Sequence, residues 1–118
     1  MRPTGIVTNI AVPDSPGARE FYTDFLGLSD ITMDQGWVAR VATPDGRAQL
    51  QLVTRDASAP EDSHISVHVG DGVEEAYADA QRRGLEIVHP LTTEEWGVRR
   101  FFVRAPDGTV VNVVSHAD

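Results

Sequence analysis

The sequence predicts an α+β fold of two tandem βαβββ modules forming one curved mixed sheet with a concave ligand cup. Three observations predict it. Two short alternating segments ending in Asp, GIVTNIAVPD at 5–14 and SHISVHVGD at 63–71, recur 57 residues apart, from Asp14 to Asp71. Each is followed by a helical pattern that stops at a Gly-Leu pair, Gly27-Leu28 and Gly84-Leu85. Each half then carries a Trp, an Arg-containing apolar strand and the tripeptide Pro-Asp-Gly, at 44–46 and 106–108. The offset has grown to 62 by that tripeptide, from Pro44 to Pro106, so the second half has gained about five residues in its middle loop.

The elements follow in order. Thr8, Ile10 and Val12 share one face of the first strand, and Val7, Asn9 and Ala11 the other. In the first helix Asp14 or Ser15 can cap, Pro16 suits the first helical position and Gly27 the C′ position. Ala18, Phe21, Tyr22, Phe25 and Leu26 repeat at 3.6-residue spacing and read as one buried stripe. In the second helix Asp71 and Glu74 stand three apart like a capping box, with Val73, Ala76, Tyr77 and Ala80 as the stripe. Pro-Asp-Gly between apolar runs signals a hairpin, leading into closing strands at 47–54 and 109–115. Neither half buries enough apolar surface alone, so the expectation is a single domain over 1–118. Module one covers 1–57, a linker 56–62 and module two 63–118.

Composition narrows the function. At 118 residues, 41% hydrophobic and 24% charged, the chain is an ordinary globular domain and not a disordered one. No apolar run approaches the ~20 residues of a membrane span, and no charged-then-apolar leader follows Met1, so a cytoplasmic location is expected. Cysteine is absent, which excludes disulfides, thiolate metal sites and a cysteine nucleophile. All ten basic residues are Arg, which removes Schiff-base lysines and the P-loop lysine. A net charge of −8 repels nucleic-acid phosphates and favours cationic or neutral ligands. The expected partner is a small molecule, with neither nucleic acid nor membrane involved.

Strand alternation sorts the cup. In the strand after 63, Ile65, Val67 and Val69 cover the second helix, which turns His64, Ser66 and His68 toward the concave side. Leu50 and Leu52 cover the first helix and leave Gln49 and Gln51 in the cup. By the same parity Val111 and Val113 face the helix, while Val110, Asn112 and Val114 face the cup. His116 shares that parity but lies beyond the expected end of its strand. With Asn9, the lining is polar, nearly uncharged and poor in nucleophiles; no nucleophile-elbow pattern appears.

The arrangement resembles the vicinal oxygen chelate superfamily of glyoxalases, bleomycin resistance proteins and extradiol dioxygenases. REFYTDFLGL at 19–28 and WGVRRFFVRAPDGTVVN at 96–112 carry the resemblance, which covers nearly the whole chain. These phrases mark the fold rather than the activity. Metal-dependent members place His or Gln and Glu on the opening and closing strands of each half. Carried across, those positions are Val7, Gln51, His64 and Asn112. Of these His64 alone is a normal ligand, and amides stand where carboxylates are expected, so the expectation is no cofactor and a degenerate metal site. The register at Gln51 is open by one residue. His68 is about 13 Å along the strand from His64 and cannot share its ion.

Trp37 and Trp96 fall in loops before the third strands, where they can pack at an edge or stack on a ligand. Trp96 follows Glu94 and Glu95, a seat for a flat cationic group. Arg40, Arg99, Arg100 and Arg104 belong on strand faces or in ion pairs, with one of them available to an anionic ligand group. The resemblance is closest to the metal-free bleomycin-resistance type. It implies a homodimer that sequesters an antibiotic or an aromatic or cationic metabolite without chemistry. The ligand-binding set is Asn9, Trp37, Gln49, Gln51, His64, Ser66, His68, Trp96 and Asn112. The alternative is a lyase, isomerase or dioxygenase of the same superfamily with atypical metal ligands.

Overall fold

The computed structural model describes residues 1–13, 15–31, 38–56 and 58–116. Its elements are β1 (Gly5–Ala11), α1 (Ser15–Glu20) running on into a π-helical turn (Phe21–Phe25), β2 (Ser29–Asp30), β3 (Val38–Ala42), β4 (Gln49–Val53), β5 (Ile65–His68), α2 (Val73–Arg82), β6 (Glu86–Thr93), β7 (Val98–Arg104) and β8 (Val110–His116). The βαβββ order appears twice, as the repeat predicts. Contacts divide the chain into two units, Val7–Ala57 and Met1–Ile6 with Ser58–Asp118, with the later boundary inside the stretch read as a linker. Among the described residues no helix is long and apolar enough to cross a membrane.

In the unit Val7–Ala57 the strands lie in the order β2-β3-β4-β1. β1 is parallel to β4, and β3 and β4 form an antiparallel hairpin. α1 packs against β3 and β4. The stripe read at 3.6-residue spacing is not buried. Phe21, Phe25 and Leu26 are at least half exposed, and Tyr22 is partly covered. The reason is the π-helical turn. Leu26 N–H reaches back five residues to Phe21 C=O, so each turn takes in an extra residue and the 3.6 spacing loses its face. Thr23 Oγ1 donates to Arg19 C=O within this stretch, and the Phe21 and Phe25 rings stack 5.4 Å apart in solvent. Gly27 closes the helix with φ 76°. Asp14 and the side chain of Ser15 lie outside the described residues.

In the other unit the strands run β5-β8-β7-β6. Val73, Ala76 and Ala80 of α2 pack with Phe101 and Val113, flanked by Val67, Tyr77, Val103 and Val111. This is the helix-facing parity expected of Val67, Val111 and Val113. Tyr77 meets Phe101 edge-on at 5.0 Å. The capping box does not form; Gly72 is the N-cap and no side chain caps the helix. The other end is as expected. Gly84, at φ 67°, donates to Gln81 C=O, and Leu85 N–H to Ala80 C=O, a Schellman closure. β8 includes His116, one residue beyond the expected end of the strand.

Both Pro-Asp-Gly turns are hairpins, with Gly46 at φ 74° and Gly108 at φ 93°. They differ in length. Ala42 pairs with Gln49, leaving 43–48 to turn, whereas Arg104 pairs with Val110, leaving 105–109. The first hairpin is one residue longer, so the repeat offset falls from 62 at the turn to 61 at Gln51 and Asn112. Within the stretch read as a linker, two residues are covered. Asp56 and Ala59 are buried, and Ala59 packs with Phe102 and Val110.

Candidate functional site

In the unit Val7–Ala57, three polar side chains form a row across three strands. Asn9 pairs with Gln51 and Gln51 with Arg40 in register, so all three project from the same face. Arg40 Nη2 donates to Gln51 Oε1 at 2.7 Å, and Gln51 Nε2 donates to Asn9 Oδ1 at 2.7 Å. Gln51 is buried and both ends of its amide are engaged. Gln49 shares the face and is half-buried; Leu50 and Leu52 take the opposite one. Val7 is buried and offers no donor or acceptor. Arg40 is the residue that residue types alone undervalued. Burial holds its guanidinium below its ordinary pKa, and its Nε is buried with no hydrogen-bond partner among the described residues.

In the other unit, β5 and β8 pair Ser66 with Asn112 on the face turned away from α2. Asn112 Nδ2 donates to Ser66 Oγ at 3.0 Å, both residues are buried, and Asn112 Oδ1 is left without a partner. His64 is exposed at the start of β5. Its Nδ1 accepts the Val110 N–H at 2.9 Å, so that lone pair is occupied. His68 and His116 stack with ring centroids 5.2 Å apart and planes within 8°. The set Asn9, Gln51 and Gln49 is therefore gathered on one unit's face and Ser66, Asn112 and His68 on the other's. Trp37 lies outside the described residues.

A buried polar cluster near Trp96 was not foreseen as a cluster. Glu94 Oε2 accepts from Arg100 Nε at 2.6 Å and from Ser58 Oγ at 3.1 Å, and lies 3.2 Å from His89 Nε2. Arg100, Glu94 and His89 are all buried. The guanidinium of Arg100 sits 5.2 Å from the Trp96 ring centroid and 4.8 Å from that of Phe102. The Arg100 guanidinium thus lies against Trp96, the ring read from sequence as a seat for a flat cationic ligand group. Arg99 pairs with Glu74, and Arg104 with Glu61 and Glu86, as expected for strand arginines. The signal for Arg100 was its parity. It pairs with Val114 and so falls on the same face as Asn112, two residues from Phe102.

The profile of the glyoxalase/bleomycin resistance protein/dioxygenase superfamily matches residues 6–113. The chain belongs to this superfamily. Similar solved structures share its fold at low identity. One described as an NAD-dependent benzaldehyde dehydrogenase from Legionella pneumophila is 19% identical with a TM-score of 0.78, over 95% of this chain and 99% of that one. A superfamily member from Vibrio splendidus 12B01 is 15% identical with a TM-score of 0.68, over 94% and 97%. Methylmalonyl-CoA epimerase from Mycobacterium tuberculosis is 23% identical with a TM-score of 0.71, over 98% and 90%. No curated protein sequence matches the chain.

The superfamily positions for a metal can be tested against these side chains, unit by unit. Val7 has no donor, and Gln51 carries a guanidinium on the amide oxygen that an ion would need. A divalent cation there would meet a positive charge and no carboxylate. His64 has its Nδ1 engaged and Asn112 is neutral. Among the described residues, no three His, Asp or Glu side chains converge as a metal centre requires. Among the described residues, the side chains at these four positions do not fit a metal.

Proposed function

We propose that the chain is a small-molecule-binding protein that holds an antibiotic or an aromatic metabolite without a metal ion and without chemistry. One observation carries the reading: Gln51 is fixed between Asn9 and the Arg40 guanidinium. An amide oxygen that already carries a guanidinium is a poor seat for a second positive charge and a ready partner for hydrogen bonding. The buried, unpartnered carbonyl of Asn112 adds support, because a buried acceptor without a donor is a cost that a ligand donor would remove.

A homodimer and a cytoplasmic setting belong to the same proposal. Phe21, Phe25 and Leu26 leave apolar surface in water, which pairing of two chains would cover. Sedimentation as a single 12.9 kDa species at micromolar concentration would remove the dimer. The binding reading is tested by a thermal-shift screen of the full chain in EDTA against antibiotics and aromatic metabolites. A ligand that raises the melting temperature in a concentration-dependent way supports it. Ligands that act solely after a divalent metal is restored would favour a lyase, isomerase or dioxygenase.

A further inference from the structure

We infer that the ligand of the Asn9–Gln51–Arg40 face carries an anionic group, and that Arg40 is the residue that receives it. The inference rests on the metal-free reading of that face and names its ligand class. Arg19, Arg99, Arg100 and Arg104 each stand within 4.0 Å of a carboxylate. Arg40 does not. Among the described residues its one hydrogen bond is to a neutral amide, and no carboxylate pairs with it. A half-buried guanidinium without a counter-charge carries a desolvation penalty that an amide oxygen offsets in part. Its Nε, buried and unpartnered among the described residues, is a second unmet demand on the same group.

The missing counter-charge is supplied by one carboxylate, phosphonate or phosphate paired with the guanidinium. Gln51 and Asn9 hold that guanidinium in place, because each amide in the row is oriented by its neighbour. The chain's net charge of −8 does not argue against this. Charges beyond a screening length of about 8 Å count little beside a direct ion pair. The cationic ligand favoured by overall charge therefore gives way, at this face, to an anionic one.

The test uses the full chain in EDTA with three aromatic probes: benzoate, phenylphosphonate and neutral benzamide. Benzoate or phenylphosphonate is expected to raise the melting temperature, and benzamide to leave it unchanged. Arg40→Met is expected to weaken anion binding about tenfold or more. Gln51→Glu supplies an internal carboxylate to Arg40. It is expected to raise the melting temperature of the free protein and to weaken anion binding by a similar factor. The inference is overturned if benzamide binds as well as the anions, or if either variant keeps wild-type anion affinity. It is equally overturned if neither anion shifts the wild type at about 10 mM. Failure of the metal-free reading shows separately, as EDTA-removable metal in the purified wild type.

Discussion

Arg100 and Glu94 form an ion pair of 2.6 Å in which both side chains are buried, 4% and 6% exposed. Ser58 and His89 share the same carboxylate oxygen, and the pair lies against Trp96 and Phe102. A charge in this position is tolerable because its partner and its hydrogen bonds are both in place.

Removing Glu94 takes away the acceptor that the buried Arg100 shares with Ser58 and His89. Glu94→Ala is expected to destabilise by about 3–5 kcal/mol, and Glu94→Leu with Arg100→Met to recover most of that loss. Urea unfolding of the three proteins decides it. A single variant no less stable than the double one would show that the pair is not coupled.

Gly27 and Gly84 close the two helices at φ 76° and 67°, and an added Cβ would meet nothing within 4 Å at either. The cost of Gly27→Ala or Gly84→Ala is therefore backbone strain without steric clash, about 1 kcal/mol each. Equilibrium unfolding is expected to show similar losses at both sites. A neutral result at one would mean that its helix ends differently.

Acid should weaken the protein through surface carboxylates. Arg83 holds Asp79 below its ordinary value of 3.8, and Arg99 holds Glu74 below 4.5. The Thr43 hydroxyl does the same for Asp45, and the Thr109 backbone N–H for Asp107. With lowered native values, the unfolded chain takes up protons first as pH falls. Their contribution is complete above the ordinary carboxylate range and is lost as pH descends through the lowered native values. The melting temperature should thus be level from pH 7 to about 5.5 and fall below about 4.5. A rise on acidification would contradict these pairings.

His64 separates hydrogen bonding from ligation. Its Nδ1 holds the Val110 N–H, so His64→Ala should cost about 0.5–1.5 kcal/mol, the same with and without EDTA. A loss seen in metal-containing buffer alone would assign it to an ion.

Much of this was legible beforehand because it depends on period and punctuation. The 57-residue repeat, the two helix-closing glycines and the two hairpins follow from local chemistry, and strand parity put Ser66 and Asn112 on the face turned away from α2 and Gln51 beside Asn9. What escaped depends on one-residue changes and on tertiary partners. The π-helical turn adds a residue that the Ala18–Leu26 spacing does not announce, and the longer first hairpin fixes the Gln51 register after the turn motif has passed. The Glu94 cluster joins Ser58, His89 and Arg100, which no sequence spacing links. Arg40 was visible as a strand arginine, but that no carboxylate among the described residues pairs with it is a property of the folded face.

The central claim is that the face built from Asn9, Gln51 and Arg40 works without a metal ion. Its most direct measurement is the metal content of protein purified without chelator, taken with the melting temperature before and after EDTA. The account predicts substoichiometric metal and an unchanged melting temperature. One equivalent of a divalent metal, removable by EDTA with a fall in melting temperature, would contradict it.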